Sequence, residues 1–338
     1  MQNSQSIWTI VDEKNAAFFD LSDRVWGTPE INYEEFRSSA EHLRLLEVEG
    51  FRIERNIAGI PTAVMGEAGE AGPVIAILGE YDALPGLSQE AGVAEQRPVV
   101  AGGHGHGCGH NLLGAGSMLA AAAVKDYLAA HGLKGRVRYY GCPAEEGGSS
   151  KGFMVRAGVF DDVDIAISWH PAAFSGVNNP ISLACSEMNF HFSGRASHAA
   201  ATPHLGRSAR PKRDEPLCDL IVPLYAGDGS MVGSTDVGSV SWVVPTVQMR
   251  GATYAIGTPG HSWQLVAQGK LPAAHKGMAH AAKVMAGTAI ELIRNPALIE
   301  AAKADLRDRL DGNPFINPIP DDVMPPIPPS VDRPDAAE

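Results

Sequence analysis

The chain has 338 residues, enough for two domains or for one large domain with an appendage. Its apolar fraction of 44% supports a substantial buried core and excludes wholesale disorder. Lys and Arg number 27 against 39 Asp and Glu, and the net charge of −12 argues against a nucleic-acid partner, which needs a basic face.

Met1 to Ile10 is polar, without a signal pattern, and the chain has no uninterrupted apolar run long enough to span a bilayer. The expectation is a cytoplasmic protein with no membrane partner. The first 60 residues read as helical. Asn32 followed by Glu35 is a capping-box pattern, and Phe36, Leu43 and Leu46 fall at helical spacing before Gly50. Pro73 to Leu78 is continuously apolar between Gly72 and Gly79, as a fully buried parallel strand would be. A glycine-rich loop, Ala101 to Asn111, opens an alanine-rich helix from Leu112 to Ala130. A strand at Arg136 to Tyr140, a short helix at Lys151 to Ala157 and a strand at Val163 to Ser168 follow. This alternation predicts an α/β fold: a doubly wound, mostly parallel sheet with helices on both faces. Functional loops then belong beyond the carboxyl ends of the strands.

After Pro180 the texture changes. Met188 to Phe192 alternates like an edge strand, and residues 206–216 are charged, proline-bearing and without periodicity. A glycine-rich segment, Gly227 to Gly238, precedes a Val-rich strand near Val240 to Val247 and helices at Ala273 to Arg294 and Pro296 to Leu310. The tail from Asp311 holds eight prolines in 28 residues and is expected to lie extended over the surface.

The densest chemical signal is His104-Gly-His106-Gly-Cys108-Gly-His110-Asn111. Period-two alternation in an extended segment would put Cys108 and His110 on one side, within reach of one ion. Thiolate and imidazole are good ligands for zinc and late divalent metals. The four cysteines are too few for a disulfide scaffold and should remain thiols. Glu145 and Glu146 follow a strand directly, so one could ligate metal while its neighbour works as a general base. His170 ends a strand, His261 sits on a turn-rich loop, and Asp82 could orient a liganding histidine or cap a turn. Each has a bland reading alone: a flexible His/Gly loop, a solvated acidic turn, a structural histidine. Together they project at one edge of one sheet, which suits a pair of divalent ions about 3.5–4 Å apart.

These motifs, with Gly-Arg-Ala-Ser-His-Ala-Ala (194–200) and Gly-Thr-Pro-Gly-His-Ser-Trp (257–263), resemble the aminoacylase/carboxypeptidase-type metallopeptidases. The nearest branch is the amidohydrolases that include indole-acetyl amino acid hydrolases. Within it, His-Gly-Cys-Gly-His-Asn (106–111) and Gly-Ser-Thr-Asp-Val-Gly (233–238) are most similar to aminobenzoyl-glutamate hydrolases. The resemblance implies Cys108, His110, Glu146, His170 and His261 as ligands of two divalent ions, Mn²⁺ or Zn²⁺. It implies Glu145 as general base, Asp82 as a supporting catalytic carboxylate and His198 as a substrate-holding residue. The implied reaction is hydrolysis of the amide of an N-acyl or aminobenzoyl amino acid, a small-molecule substrate, by metal-activated water. A general dipeptidase or aminoacylase, and a catalytically silent metal-binding remnant, are the alternatives. The family also implies a dimer or a related second subunit.

One departure stands out. In the family the Gly-Arg-Ala-Ser-His stretch begins a satellite domain that forms the lid and the dimer interface. Here the catalytic halves, 1–181 and 217–310, are separated by 182–216 alone, too short for a domain with its own core. Residues 311–338 form the proline-rich tail.

Overall fold

The computed structural model describes residues 4–178, 221–222 and 233–329. Its strands are β1 (Arg52–Arg55), β2 (Val64–Ala68), β3 (Val74–Glu80), β4 (Arg136–Cys142), β5 (Ile165–Ala172), β6 (Ser175–Asn178), β7 (Ile221–Val222) and β8 (Thr246–Ala252). They form one sheet in the order β1-β2-β4-β3-β5-β8-β6-β7. The centre, β4-β3-β5-β8, is parallel. β1 and β2 are antiparallel additions at one side, and β6 runs antiparallel to β8 at the other.

β3 is buried at every position, which explains its unbroken apolar sequence. Its side chains divide between two cores by strand alternation. Ile75 and Ile77 face a core built by α1 (Ser4–Trp26), α2 (Phe36–Val48), α3 (His110–His131) and α7 (Pro272–Arg294). Val74, Ala76 and Leu78 face the other, with α4 (Ser150–Arg156), α5 (Val237–Ser241) and the Tyr33 loop. The sheet is thus covered on both faces, an α/β sandwich. Leu112 to Val124 of α3 is buried throughout, so this helix is apolar all round because it is enclosed between sheet and helices. α6 (Trp263–Val266) and α8 (Pro296–Leu310) complete the helices among the described residues.

Three expectations are corrected. Glu35 caps no helix: α2 starts at Phe36, and the Glu35 side chain turns inward to accept from the backbone N–H of Tyr33 and Ala144 and from Thr62 Oγ1. The Val-rich stretch is not a strand at 240–247. Residues 237–241 form α5, with Val240 and Val244 in the second core, and the strand begins at Thr246. A short apolar run does not distinguish a buried helix turn from a strand, and Pro245 sets the boundary here. The first 60 residues are not all helical, since β1 occupies Arg52–Arg55; β2, β6 and β7 also go beyond the expected elements, all short and toward the sheet's margins. The proline-rich tail, as far as 329, has no helix or strand and lies on the surface, with Asn317 donating to the Gly152 carbonyl and Phe315 stacked on Trp242. The expected edge strand at 188–192, the separating segment 182–216 and His198 lie outside the described residues.

Candidate metal centre

The carboxyl ends of β3, β4, β5 and β8 converge, and each supplies donors. Glu80 closes β3 and Asp82 follows it; the turn after β4 carries Glu145 and Glu146. His170 lies near the end of β5, and the loop after β8 carries His261. Cys108 and His110 come from the loop that enters α3. They do not share one side of an extended segment: Cys108 lies in a bend, and His110 is the first residue of the helix. Gly109 between them has φ +83°, a left-handed conformation that glycine adopts without strain. Gly114, one turn on, lets the helix settle on β3, since a Cβ there would stand 2.4 Å from the Glu80 carbonyl oxygen. This close approach brings His110 to the end of β3.

Asp82 is fully buried and divided between two partners. Oδ1 accepts from His110 Nδ1 at 2.8 Å, and Oδ2 accepts from the Glu146 backbone N–H at 2.8 Å. One carboxylate therefore sets the imidazole and the Glu-Glu turn together, which is the geometry of an orienting residue. His170 directs Nδ1 to the Pro171 carbonyl at 2.8 Å, leaving Nε2 toward Cys108 Sγ at 3.3 Å. His261 Nε2 stands 3.3 Å from Glu146 Oε2, and His110 Nε2 stands 3.3 Å from Glu80 Oε2. Glu145 lies 3.9 Å from His110 Nε2.

The electrostatics are those of a buried anionic pocket. Burial pushes Glu145 well above the usual carboxylate range, and the neighbouring Glu80 and Glu146 push it further. Glu146 is raised by burial to about 7. Burial alone would raise Asp82, but His110 beside it holds it below its ordinary value. Burial likewise disfavours charge on His110, yet Asp82 and Cys108 outweigh it and raise its pKa. Burial, Arg250 and His110 hold His170 well below the ordinary imidazole range, and burial lowers His261 to about 4. The Cys108 thiol is raised by burial. Two imidazoles held neutral, beside carboxyl and thiol groups that hold their protons tightly, are what crowded and desolvated donors give.

These residues fit divalent metal. His110 Nε2, Glu146 Oε1 and Glu80 Oε2 are buried polar atoms without a hydrogen-bond partner among the described residues, a costly condition unless a cation faces them. Two donors on one ion, with bonds of about 2.0–2.3 Å, stand roughly 3.0–3.6 Å apart. The 3.3 Å spacing recurs in all three donor pairs. Cys108 with His110 and His170, Cys108 with Glu146 and His261, and Glu80 with His110 and Glu145 form overlapping groups whose donor atoms lie within 4.8 Å of one another.

All seven motif residues at 82, 108, 110, 145, 146, 170 and 261 thus meet in one basin. His104 and His106 do not join it; His106 is buried with Nε2 at the Val25 carbonyl. The residues that sequence reasoning missed are Glu80, Lys151 and Asp236, which form a buried ion-pair chain behind the basin. Glu80 had a legible signal, since it stands two residues before Asp82 on the same strand end.

An α/β sheet with a parallel centre and a Cys/His/Glu basin at the carboxyl ends of its central strands defines the class of a metal-dependent hydrolase. The sequence pattern of Peptidase family M20/M25/M40 matches residues 76–320. The chain belongs to that family and is a metal-dependent amidohydrolase or peptidase. It is 33% identical to a p-aminobenzoyl-glutamate hydrolase subunit of Escherichia coli, over 95% of this chain and 99% of the relative. That alignment runs to 477 positions against 338 residues here, so many of the relative's positions have no counterpart in this chain. The other p-aminobenzoyl-glutamate hydrolase subunit of Escherichia coli is 34% identical over 56% of this chain and 47% of its own length. The chain is also 33% identical to Xaa-Arg dipeptidase of Mus musculus, over 59% of this chain and 45% of the relative's length. A Bacillus subtilis crystal structure described as a dinuclear metal binding peptidase from the M20 family shares the fold. Its TM-score is 0.59 at 17% identity, over 84% of this chain and 99% of that one.

Proposed function

We propose that this chain hydrolyses the amide of an N-acyl or aminobenzoyl amino acid, with aminobenzoyl-glutamate as the leading substrate. The observation that carries the chemistry is the convergence of the three donor pairs at 3.3 Å around one buried anionic basin. The substrate is supported by the similarity to a p-aminobenzoyl-glutamate hydrolase subunit, which extends over nearly the full length of both chains. Cys108, His110 and His170 would hold one divalent ion, and Cys108, Glu146 and His261 a second, Mn²⁺ or Zn²⁺. When bound, such ions polarise a carbonyl and make water a nucleophile near neutral pH.

The chain's own residues do the rest. Asp82 fixes the His110 ring and the Glu146 backbone, so both donors are set before substrate arrives. Glu145 stands at the basin wall in surroundings that raise its proton affinity, which suits a general base that takes a proton and passes it to the leaving amine. His198, which lies outside the described residues, is the expected partner of the substrate's carboxylate. The two-subunit naming of the Escherichia coli relatives supports a related second subunit, or a dimer, as the assembled state.

The deciding experiment incubates metal-saturated protein with aminobenzoyl-glutamate, an N-acetyl amino acid and a dipeptide, following amine release by chromatography. Release of aminobenzoate above the other products supports the proposal. Preference for the dipeptide would replace the substrate with a dipeptidase's, and no turnover of any of the three would mark a silent metal-binding protein.

A further inference from the structure

β3 delivers two carboxylates to the basin, and the mechanism above uses one of them, Asp82. The other, Glu80, has a side chain only 2% exposed. Its Oε1 pairs with the Lys151 ammonium at 2.7 Å. Lys151 is itself completely buried and doubly held by Asp236, from Nζ at 2.6 Å and from its backbone N–H at 3.0 Å. Asp236 belongs to the Gly-Ser-Thr-Asp-Val-Gly stretch, whose spacing alone gave no chemistry. That stretch clamps Lys151, and Lys151 clamps one oxygen of Glu80.

The other oxygen, Oε2, has no hydrogen-bond partner among the described residues and faces His110 Nε2 at 3.3 Å, itself without one. With Nδ1 engaged by Asp82, the His110 ring presents Nε2 to Glu80. Such a pair stands together in a dry pocket only with positive charge between them, either a proton on Nε2 or a metal ion in its place. Their separation equals that of the Cys108–His170 and Glu146–His261 pairs. Glu80, His110 and Glu145 also form a compact donor triad of their own.

We propose that Glu80 is a further metal ligand, sharing with His110 one divalent ion, and that Lys151 and Asp236 are the positioning pair that aims it. The inference rests on the metal-centre reading and deepens it. Its consequence is selectivity. Carboxylate oxygens beside the imidazole favour a harder ion such as Mn²⁺, whereas thiolate and imidazole alone favour Zn²⁺.

The test uses the full chain, stripped of metal by chelation, as wild type and as Glu80→Gln. Calorimetric titration with Mn²⁺ and with Zn²⁺ gives affinities, and the Co²⁺-loaded proteins give d–d absorption spectra. Glu80→Gln is expected to weaken Mn²⁺ binding by well over ~10²-fold, beyond the usual effect of removing an orienting neighbour. Zn²⁺ binding should fall less, and the Co²⁺ bands should shift as a ligand is lost. Glu80→Asp keeps the charge opposite Lys151 while withdrawing the carboxylate, and must show the same shift should the Gln variant not fold. Unchanged Mn²⁺ affinity and Co²⁺ spectra in the folded variants would overturn the role of Glu80 and leave the metal centre standing. A wild type that binds none of the three ions would instead sink the metal centre itself.

Discussion

At the scale of single residues, the basin separates donors by what already occupies them. Cys108 appears in two of the three donor groups, and His110 in two, so each is hard to replace. Bound metal stabilises only the folded site, so Cys108→Ala and His110→Ala should each lower the metal bound per chain and the metal-dependent gain in Tm together. Metal analysis beside thermal melts checks this, and normal metal content in both variants would remove them from the ligand set. Glu145 is expected to behave differently. Glu145→Gln should keep metal content near normal while kcat falls about 10²–10⁴-fold, as for a lost general base. Loss of metal in that variant would exchange the roles of Glu145 and Glu146. These side chains were legible because glycines and prolines mark their loops, and because Cys, His and Glu at strand ends have few apolar alternatives. Glu35 was not, because local spacing carries no information about the Thr62 hydroxyl and Ala144 amide, which are distant in sequence and draw it inward.

At the scale of elements, β2 and β4 are joined by more than their ladder. Arg138 on β4 reaches Glu67 on β2 and, by two bonds of 2.6 Å, Asp162 before β5. Burial would raise Glu67, but hydrogen bonds from Arg138 and Arg52 outweigh it and hold its pKa below the usual value. The Arg138 hydrogen bonds lower Asp162 as well. Both folded-state values are depressed, so the stabilisation is complete above the unfolded pKa near 4 and is lost as pH falls through the folded values. Arg138→Met should therefore cost about 2 kcal/mol at pH 7, with the Tm gap to wild type closing below about pH 4. A gap constant from pH 7 to pH 3 would show that packing, not charge, is what Arg138 contributes. Unbroken apolar or alanine-rich runs made β3 and α3 readable within a few residues, and α7 and α8 were as legible. β1 and β2 were not, because their half-polar sequences become strands only once a neighbour offers an edge, β4 to β2 and β2 to β1.

At the scale of the molecule, residues before and after 182–216 build one basin, since β3 to β5 and the loop after β8 all contribute to it. The basin residues among those described all lie outside 182–216, so metal binding is expected not to depend on that segment. Turnover is another matter. The Escherichia coli relative aligns over 477 positions against the 338 residues here, and a missing satellite domain after Gly194 to His198 is our account of the difference. Such a domain closes over the substrate, excludes water and offers donors to the developing oxyanion, and losing one such donor alone costs about 10²-fold in kcat. Splicing a family satellite domain between Ala209 and Pro216 should leave the metal stoichiometry as it is. It should also raise kcat/KM for aminobenzoyl-glutamate by about 10²-fold or more at saturating metal. Steady-state kinetics on the two proteins decide the matter. Equal kcat/KM would mean that the short segment already supplies what a lid supplies, and that the satellite domain serves assembly rather than catalysis.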